Sequence, residues 1–349
     1  MLLVEAAALD EDLDLLSDPD AEADEEGLSA ALPQAREVEQ RVDAAGHGRR
    51  LDQWLVALAP EFSRNHIQAL IERGCVQVDQ QPATQPSRKV AVGQTVWARL
   101  EPTAQSMAFV PQAMRLSIVF EDEHLMVIDK PVGLVVHPAA GHWSGTLMNG
   151  LLAHHPLAQH LPRAGIVHRL DKDTSGLMVV GKSLMACTAL TRSIAAREVH
   201  RQYSALVWGC PPEALRIDAP LGRDPATRIK MAVVPSGKPA MTDVRLVGSL
   251  EIDWNSGQGG TTISAVECIL HSGRTHQIRV HLSSRRWPLV ADALYGGAAA
   301  LGMARQALHA ARLELAHPMS GERLTFEAPL PEDMAPAWAQ VVHNRATSV

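Results

Sequence analysis

Apolar side chains recur along the chain with two periods, and the places where the period changes mark out its organisation. Leu51, Trp54, Leu55 and Leu58 fall at i, i+3, i+4 and i+7, which predicts a short helix that Pro60 ends. Ser63 is placed to cap a second helix carrying Ile67, Leu70 and Ile71 on one face, with Gly74 just past its end. Val76-Gln77-Val78-Asp79 alternates as a strand does, Gln80-Gln81-Pro82 reads as a turn, and Val90, Val92 and Val96 form a further β-like stretch. Residues 102–116 carry Pro102, Pro111 and little pattern, which suits a linker. Strands are then predicted over 116–120, 125–130, 177–180, 203–208, 243–247 and 261–270. Helical spacing joins Leu147, Met148, Leu151, Leu152 and His155, and again Leu184, Cys187, Leu190 and Ile194 after the cap Ser183. Strands outnumber helices and often follow one another directly. This predicts an α+β fold on a mixed, mainly antiparallel sheet, with a small N-terminal α/β module, rather than a doubly wound parallel sheet.

The boundaries that follow are a tail over 1–45, a module over 46–101, a linker over 102–116, a larger α+β domain over 117–335 and a C-terminal tail over 336–349. The first 45 residues hold 14 acidic side chains against 2 arginines and have no sustained hydrophobic period. Such a segment buries too little apolar surface to offset its ordering entropy, and disorder is expected there. The other 304 residues hold 25 acidic against 30 basic side chains, so the net charge of −7 hides a mildly basic body. A basic body suits a phosphate-rich partner. Cys75, Cys187, Cys210 and Cys268 form no Cys-x-x-Cys pair, which points to reduced thiols rather than a disulfide scaffold or zinc site. No apolar run reaches a membrane span, and the acidic N-terminus does not read as a signal peptide, so a soluble cytoplasmic protein is expected.

Three clusters carry candidate chemistry. His168-Arg169-Leu170-Asp171-Lys172-Asp173-Thr174-Ser175-Gly176 is a dense polar segment between two apolar strand-like runs, as on a loop held at strand ends. Asp171 there can act as nucleophile or base, while Asp173 and Thr174 suit a turn that bonds local backbone. His271-Ser272-Gly273-Arg274-Thr275-His276-Gln277-Ile278-Arg279-Val280-His281 follows a long strand and enters a helix. Arg274 and Arg279 could bind an anion at the helix start, or Arg279 could hold a carboxylate such as Asp171 in an ion pair. The three histidines recur every five residues, a spacing that shares no helix face, so no metal site is expected. Arg201-Gln202-Tyr203 opens a strand, and Tyr203 could stack on a base or pack at a sheet edge.

Two stretches resemble known families. Arg50-Leu51-Asp52-Gln53-Trp54-Leu55, Ser63-Arg64 and Gly74-Cys75-Val76-Gln77-Val78-Asp79 resemble the S4 RNA-binding module, with Arg50, Arg64 and Arg73 among the basic residues able to reach phosphates. Residues 129–138, His168-Arg169-Leu170-Asp171, Tyr203, Gly237-Lys238-Pro239-Ala240, Gly273-Arg274-Thr275-His276-Gln277-Ile278-Arg279 and Leu308-His309-Ala310 resemble, in order, the RluA-type pseudouridine synthases. The S4-like module and Pro162-Arg163-Ala164-Gly165-Ile166-Val167 look closest to the branch that modifies the helix 69 stem-loop of 23S ribosomal RNA.

The resemblance implies conversion of uridine to pseudouridine by base flipping, with no metal, redox cofactor or external energy. Asp171 would attack or deprotonate the ribose, Tyr203 would pack against the base and assist proton removal, and Arg279 would pair with Asp171. Arg169 would fill the space left by the flipped base, His168 and Arg274 would contact RNA, and the basic loop with Arg223, Arg228 and Lys230 would help choose the target. A monomer acting on ribosomal RNA in large-subunit precursor particles is implied. His271-Ser272 before Gly273, and Val290-Ala291-Asp292 where a Gly-Asp is usual near Tyr295, depart from the family pattern and are expected to leave the catalytic set untouched. The same chemistry on another ribosomal or transfer RNA site, and a noncatalytic RNA-binding assembly factor, are the alternatives. A serine hydrolase is disfavoured because Ser175 lacks a Gly-x-Ser-x-Gly elbow.

Overall fold

A computed structural model describes residues 35–103, 105–139, 141–227, 229–252 and 261–343. They form two compact units that divide between Val110 and Pro111, inside the expected linker. No helix among the described residues is long and apolar enough to cross a membrane.

The first unit contains β1 (Arg36–Arg41), α1 (Leu51–Leu58), α2 (Arg64–Glu72), β2 (Val76–Val78), β3 (Gln81–Pro82) and β4 (Thr95–Leu100). Its sheet runs β1-β4-β2-β3, antiparallel throughout. Leu51, Leu55, Ile67, Leu70 and Ile71 from the two helices pack on Val76, Val78, Val96 and Leu100 from the sheet. Ser63 caps α2 by accepting from the His66 amide. β1 corrects the expected disorder over 1–45: Arg36–Arg41 pairs with the full length of β4. Its burial pattern shows why the sequence hid it, since five of six residues are exposed and the strand is held by backbone bonds without an apolar face. Residues 1–34 of the expected tail lie outside the described residues.

The second unit contains β5 (Ile118–Glu121), β6 (Leu125–Lys130), α3 (Leu147–His154), β7 (Ser175–Gly181), α4 (Leu184–Ala195), β8 (His200–Trp208), β9 (Ala214–Asp218), β10 (Leu221–Arg223), β11 (Met231–Val233), β12 (Met241–Ile252), β13 (Thr261–Leu270), α5 (Gln277–Ser284), β14 (Leu308–Ala316), β15 (Arg323–Glu327) and α6 (Ala335–His343). The main sheet runs β5-β6-β7-β14-β8-β13-β12-β9, with β15 paired to β14, while β10 and β11 form a separate hairpin. Every pairing is antiparallel except β7 with β14, which meet only at His309↔Ser175 and Ala310↔Gly176. Further along β14, Arg312–Ala316 pair with β15. Apolar clusters coat the sheet, one around Ile128, Leu151, Met178 and Val266, another around Leu125, Val179, Leu190 and Leu313.

The close β7–β14 approach depends on one glycine. Gly176 has φ +111°, and a Cβ there would sit 2.2 Å from the Ala310 carbonyl oxygen. The C-terminal tail expected over 336–349 is corrected in its first half. Met334, Ala337 and Val341 are buried against Leu206 and Ile263, and α6 packs on β12 and β13. Their i, i+3, i+7 spacing was the readable signal. Residues 344–349 lie outside the described residues. The expected linker likewise contains a short 3-10 turn at Gln105–Phe109.

Candidate active site

The loop that carries Asp171 is fixed from behind before it enters β7. Lys130, fully buried, donates from Nζ to the carbonyls of Pro131 (2.9 Å), Leu134 (3.0 Å) and Lys172 (3.0 Å). Arg305 donates to the Asp173 carbonyl at 3.0 Å, and Gln306 Nε2 donates to Thr174 Oγ1 at 3.0 Å. The Thr174 amide closes the turn onto the Asp171 carbonyl at 3.1 Å. Buried side chains that grip the loop backbone and Thr174 therefore set where the Asp171 carboxylate points, as a rigid site requires.

That carboxylate meets two groups from the segment around α5. Arg279 Nη1 donates to Asp171 Oδ2 at 2.9 Å, and His276 Nε2 lies 3.9 Å from Oδ1. Burial pushes the Asp171 carboxyl up, but His276, Arg279 and Arg169 together outweigh it and hold it below its ordinary value. Arg279 is itself clamped: Nε and Nη2 donate to the two oxygens of buried Asp292 at 2.8 and 2.9 Å, and Cζ lies 4.9 Å over the Tyr295 ring. A planar guanidinium held along its Nε–Nη2 edge, with an aromatic ring against one face, presents Nη1 in only one direction. His276 is oriented as firmly. It occupies a left-handed conformation (φ +55°) just before α5, and its Nδ1 lies 2.8 Å from the Tyr295 hydroxyl, which accepts from the Met231 amide at 3.0 Å.

Tyr203 lines the same cleft from β8, between Cys268 of β13 and Ala310 of β14. It is buried, and burial pushes its phenol up to about 12, so it is a neutral phenol near neutral pH. Arg169 and Arg274 also line the cleft, and Arg274 Nε donates to the Pro239 carbonyl at 3.2 Å. The structure thus brings Asp171, Tyr203, Arg279, Arg169, Arg274 and His168 around one cleft. His168, expected to contact RNA, is not a cation there. Its Nε2 accepts from the Val179 amide at 3.0 Å, and burial pushes it down to about 3, so it braces the loop as a neutral ring.

The remaining expected RNA-contacting residues lie elsewhere. Arg223 ends β10 and Lys230 precedes β11, both on the hairpin whose Met231 anchors Tyr295; Arg228 lies outside the described residues. In the N-terminal unit, Arg50 and Arg64 both donate to the buried Asp52, which also accepts from Gln68 Nε2 at 2.6 Å. The Arg50 bond is the foremost reason that Asp52 is held far below its ordinary value. The two guanidiniums remain about two-fifths exposed around a single neutralising carboxylate. Arg73 pairs with Glu101 at 3.2 Å.

Three contributors were missed in the sequence. From the sequence Lys130 is a strand end within the 129–138 motif, and His276 is one of three histidines that share no helix face; neither carries a positioning role there. Asp292 was set aside with a departure expected to leave the catalytic set untouched, and the structure corrects this: it is the partner that aims Arg279. Ala291 before it has φ +60°, the region where the family's glycine would be unstrained. The three motif histidines have separate tasks, with His271 on Asp243 (2.8 Å) and His281 on Thr242 (2.9 Å) and the Ala219 carbonyl (3.0 Å).

Residues 124–284 match the family described as RNA pseudouridylate synthase, and residues 49–96 match the S4 domain. A protein of Neisseria meningitidis serogroup B named ribosomal large subunit pseudouridine synthase D is 47% identical over 300 residues, covering 82% of this chain and 77% of that protein. Proteins of the same name from Nitrosomonas europaea (46% over 305 residues, 85% of each chain) and Xanthomonas campestris pv. campestris (44% over 322 residues, 88% and 92%) are also similar.

Proposed function

The chain belongs to the RNA pseudouridylate synthase family and is an RNA pseudouridine synthase, an isomerase, and we propose that it acts on uridine in large-subunit (23S) ribosomal RNA, in the helix 69 stem-loop. The observation that carries this reading is the ionised Asp171, aimed by Arg279 and His276 into a cleft walled by Tyr203. Support for the substrate comes from the name shared by the relatives and from the S4 domain.

In the proposed reaction the target base leaves its stack, because neither C5 nor the glycosidic bond can be reached inside one. Arg169 fills the vacated space. Asp171 acts on the ribose as nucleophile or base, and the C1′–N1 bond breaks. Uracil rotates against Tyr203 and C5 bonds to C1′ as the bond from Asp171 to C1′ breaks or Asp171 returns the proton it took from the ribose, then the C5 proton leaves and N1 gains a proton. Arg279 holds Asp171 in position throughout and keeps it ionised until it reacts. Tyr203 enters this sequence as a neutral phenol, which leaves Asp171 as the anionic group beside the substrate. The proposed setting is a cytoplasmic monomer working on large-subunit precursor particles, with the S4 domain and the β10–β11 hairpin holding the RNA.

Mapping pseudouridines in ribosomal and transfer RNA from a deletion strain tests this. Loss of helix 69 pseudouridines, restored by the wild-type gene and not by Asp171→Ala, is expected. Intact ribosomal pseudouridines with a loss elsewhere would reassign the target, and full restoration by Asp171→Ala would favour a noncatalytic assembly role.

A further inference from the structure

Among the described residues three arginines are buried, and their surroundings differ in one respect. Arg279 has Asp171 and Asp292, and Arg305 has Asp333 together with three backbone carbonyls. Arg201, at 6% exposure, has no carboxylate within ion-pair distance among the described residues, and its buried Nε has no hydrogen-bond partner. A desolvated cation without a counter-charge is unfavourable, and a fold keeps one only where something else supplies the anion.

The position of the guanidinium indicates where that anion would come from. Arg201 lies two residues before Tyr203 on β8 and lines the cleft that holds Asp171. It also lines an adjoining hollow with Arg197, Gly273 and Arg274, and no acidic side chain among the described residues lines that hollow. His271, on the same wall, is already engaged by Asp243. Gly273 makes room for the group, since a Cβ there would stand 2.9 Å from Arg201 Nη1. We propose that Arg201 is a receptor for one phosphodiester of the bound RNA strand, next to the nucleotide whose base enters the Asp171 cleft. A planar fork with an unused edge matches two phosphate oxygens, and Arg274 and Arg197 supply further positive charge at the rim. This inference rests on the RNA-synthase reading for the identity of the strand, but the anion site itself does not depend on turnover.

Three measurements on the full chain test it. First, thermal unfolding is followed with and without inorganic phosphate. Without phosphate, Arg201→Gln melts at or above the wild-type temperature, because an uncompensated buried cation has been removed. Phosphate raises the wild-type melting temperature and leaves that of Arg201→Gln unmoved. Second, binding to large-subunit ribosomal RNA is measured across salt concentrations. Arg201→Gln loses about tenfold to a hundredfold in affinity, and its log K against log salt slope shrinks by about 0.7. Third, Arg201→Lys keeps the slope and regains part of the affinity, while Gly273→Ala, which displaces the guanidinium, loses affinity with its charge intact. Gly273→Ala and Arg201→Lys also keep the test open should Arg201→Gln fail to fold. A fall in melting temperature for Arg201→Gln with an unchanged salt slope would make Arg201 structural and overturn the proposal. Equal phosphate stabilisation of wild type and Arg201→Gln would do the same. Phosphate stabilisation confined to wild type with no change in RNA binding would mean a free-ion site and overturn the phosphodiester assignment. Because none of these readouts needs catalysis, an absence of ribosomal pseudouridine would refute the proposed substrate and leave the anion site to be judged separately.

Discussion

Replacing Asp292 with asparagine preserves the shape of a side chain that is 2% exposed and removes the charge that clamps the Nε–Nη2 edge of Arg279. Stripping one partner from a buried ion pair costs about 3–5 kcal/mol. Asparagine keeps one acceptor oxygen and Asp171 still faces Arg279 Nη1, so the expected loss is at or below the lower end, about 2–3 kcal/mol. For a unit of this size that lowers the melting temperature by about 4–12 °C. Activity suffers more than stability. With its clamp loosened, Arg279 no longer fixes Asp171, and a displacement near 1 Å costs about a hundredfold in kcat. The pH profile supplies a sign that unfolding cannot imitate. Burial raises the Asp171 pKa while His276 and Arg279 lower it, so a weaker Arg279 contact lets it rise and shifts the acidic limb of kcat/KM to higher pH. Steady-state kinetics on ribosomal RNA from pH 4 to 9, below the variant's melting temperature, measures both effects. A kcat within about threefold of wild type, with an unmoved acidic limb, would refute the clamp.

Other outcomes follow from the same geometry. Gly176→Ala sets a methyl 2.2 Å from the Ala310 carbonyl at φ +111°, and should destabilise by at least about 3 kcal/mol in denaturant unfolding. Ala291→Gly relaxes a left-handed alanine and should raise stability by about 0.5–1 kcal/mol with kcat unchanged, as a melting curve beside an activity assay would show. Asp52→Asn removes the carboxylate shared by Arg50, Arg64 and Gln68 and should cost about 3 kcal/mol near neutral pH. Because the folded pKa of Asp52 is depressed, that cost is complete above its ordinary 3.8 and fades as pH falls further, which urea titrations at pH 7 and pH 3 distinguish.

Much of this was legible in the sequence where one residue's period or identity carries the information. The two helices at Leu51–Leu58 and Arg64–Glu72 follow from apolar spacing and the Ser63 cap; that spacing selects the buried Leu51, Trp54, Leu55, Ile67, Leu70 and Ile71 but also the half-buried Leu58, and gives no sign of the buried Asp52. Asp171, Tyr203 and Arg279 stood out by type and motif, though 108 residues separate Asp171 from Arg279. What stayed hidden depends on tertiary surroundings. β1 has no apolar face to announce it, only a neighbour to bond with. Asp292 looks like any loop aspartate until Arg279 lies against it, and His168 looks like an RNA contact until its buried ring is seen to accept from the Val179 amide of β7. Arg201 stands beside Tyr203 in the sequence, but the lack of a counter-charge around it among the described residues is a property of the packed protein alone.

The central claim is that Asp171, held by Arg279, performs the isomerisation, and it is tested most directly by tritium release. Large-subunit ribosomal RNA carrying C5-tritiated uridine is incubated with excess wild-type protein or Asp171→Asn, and RNA binding is measured in parallel. Wild type should release tritium from a defined small set of uridines, while Asp171→Asn binds RNA with comparable affinity and releases none above background. Release by Asp171→Asn within about tenfold of the wild-type rate would contradict the account, as would no release by wild type from RNA it binds.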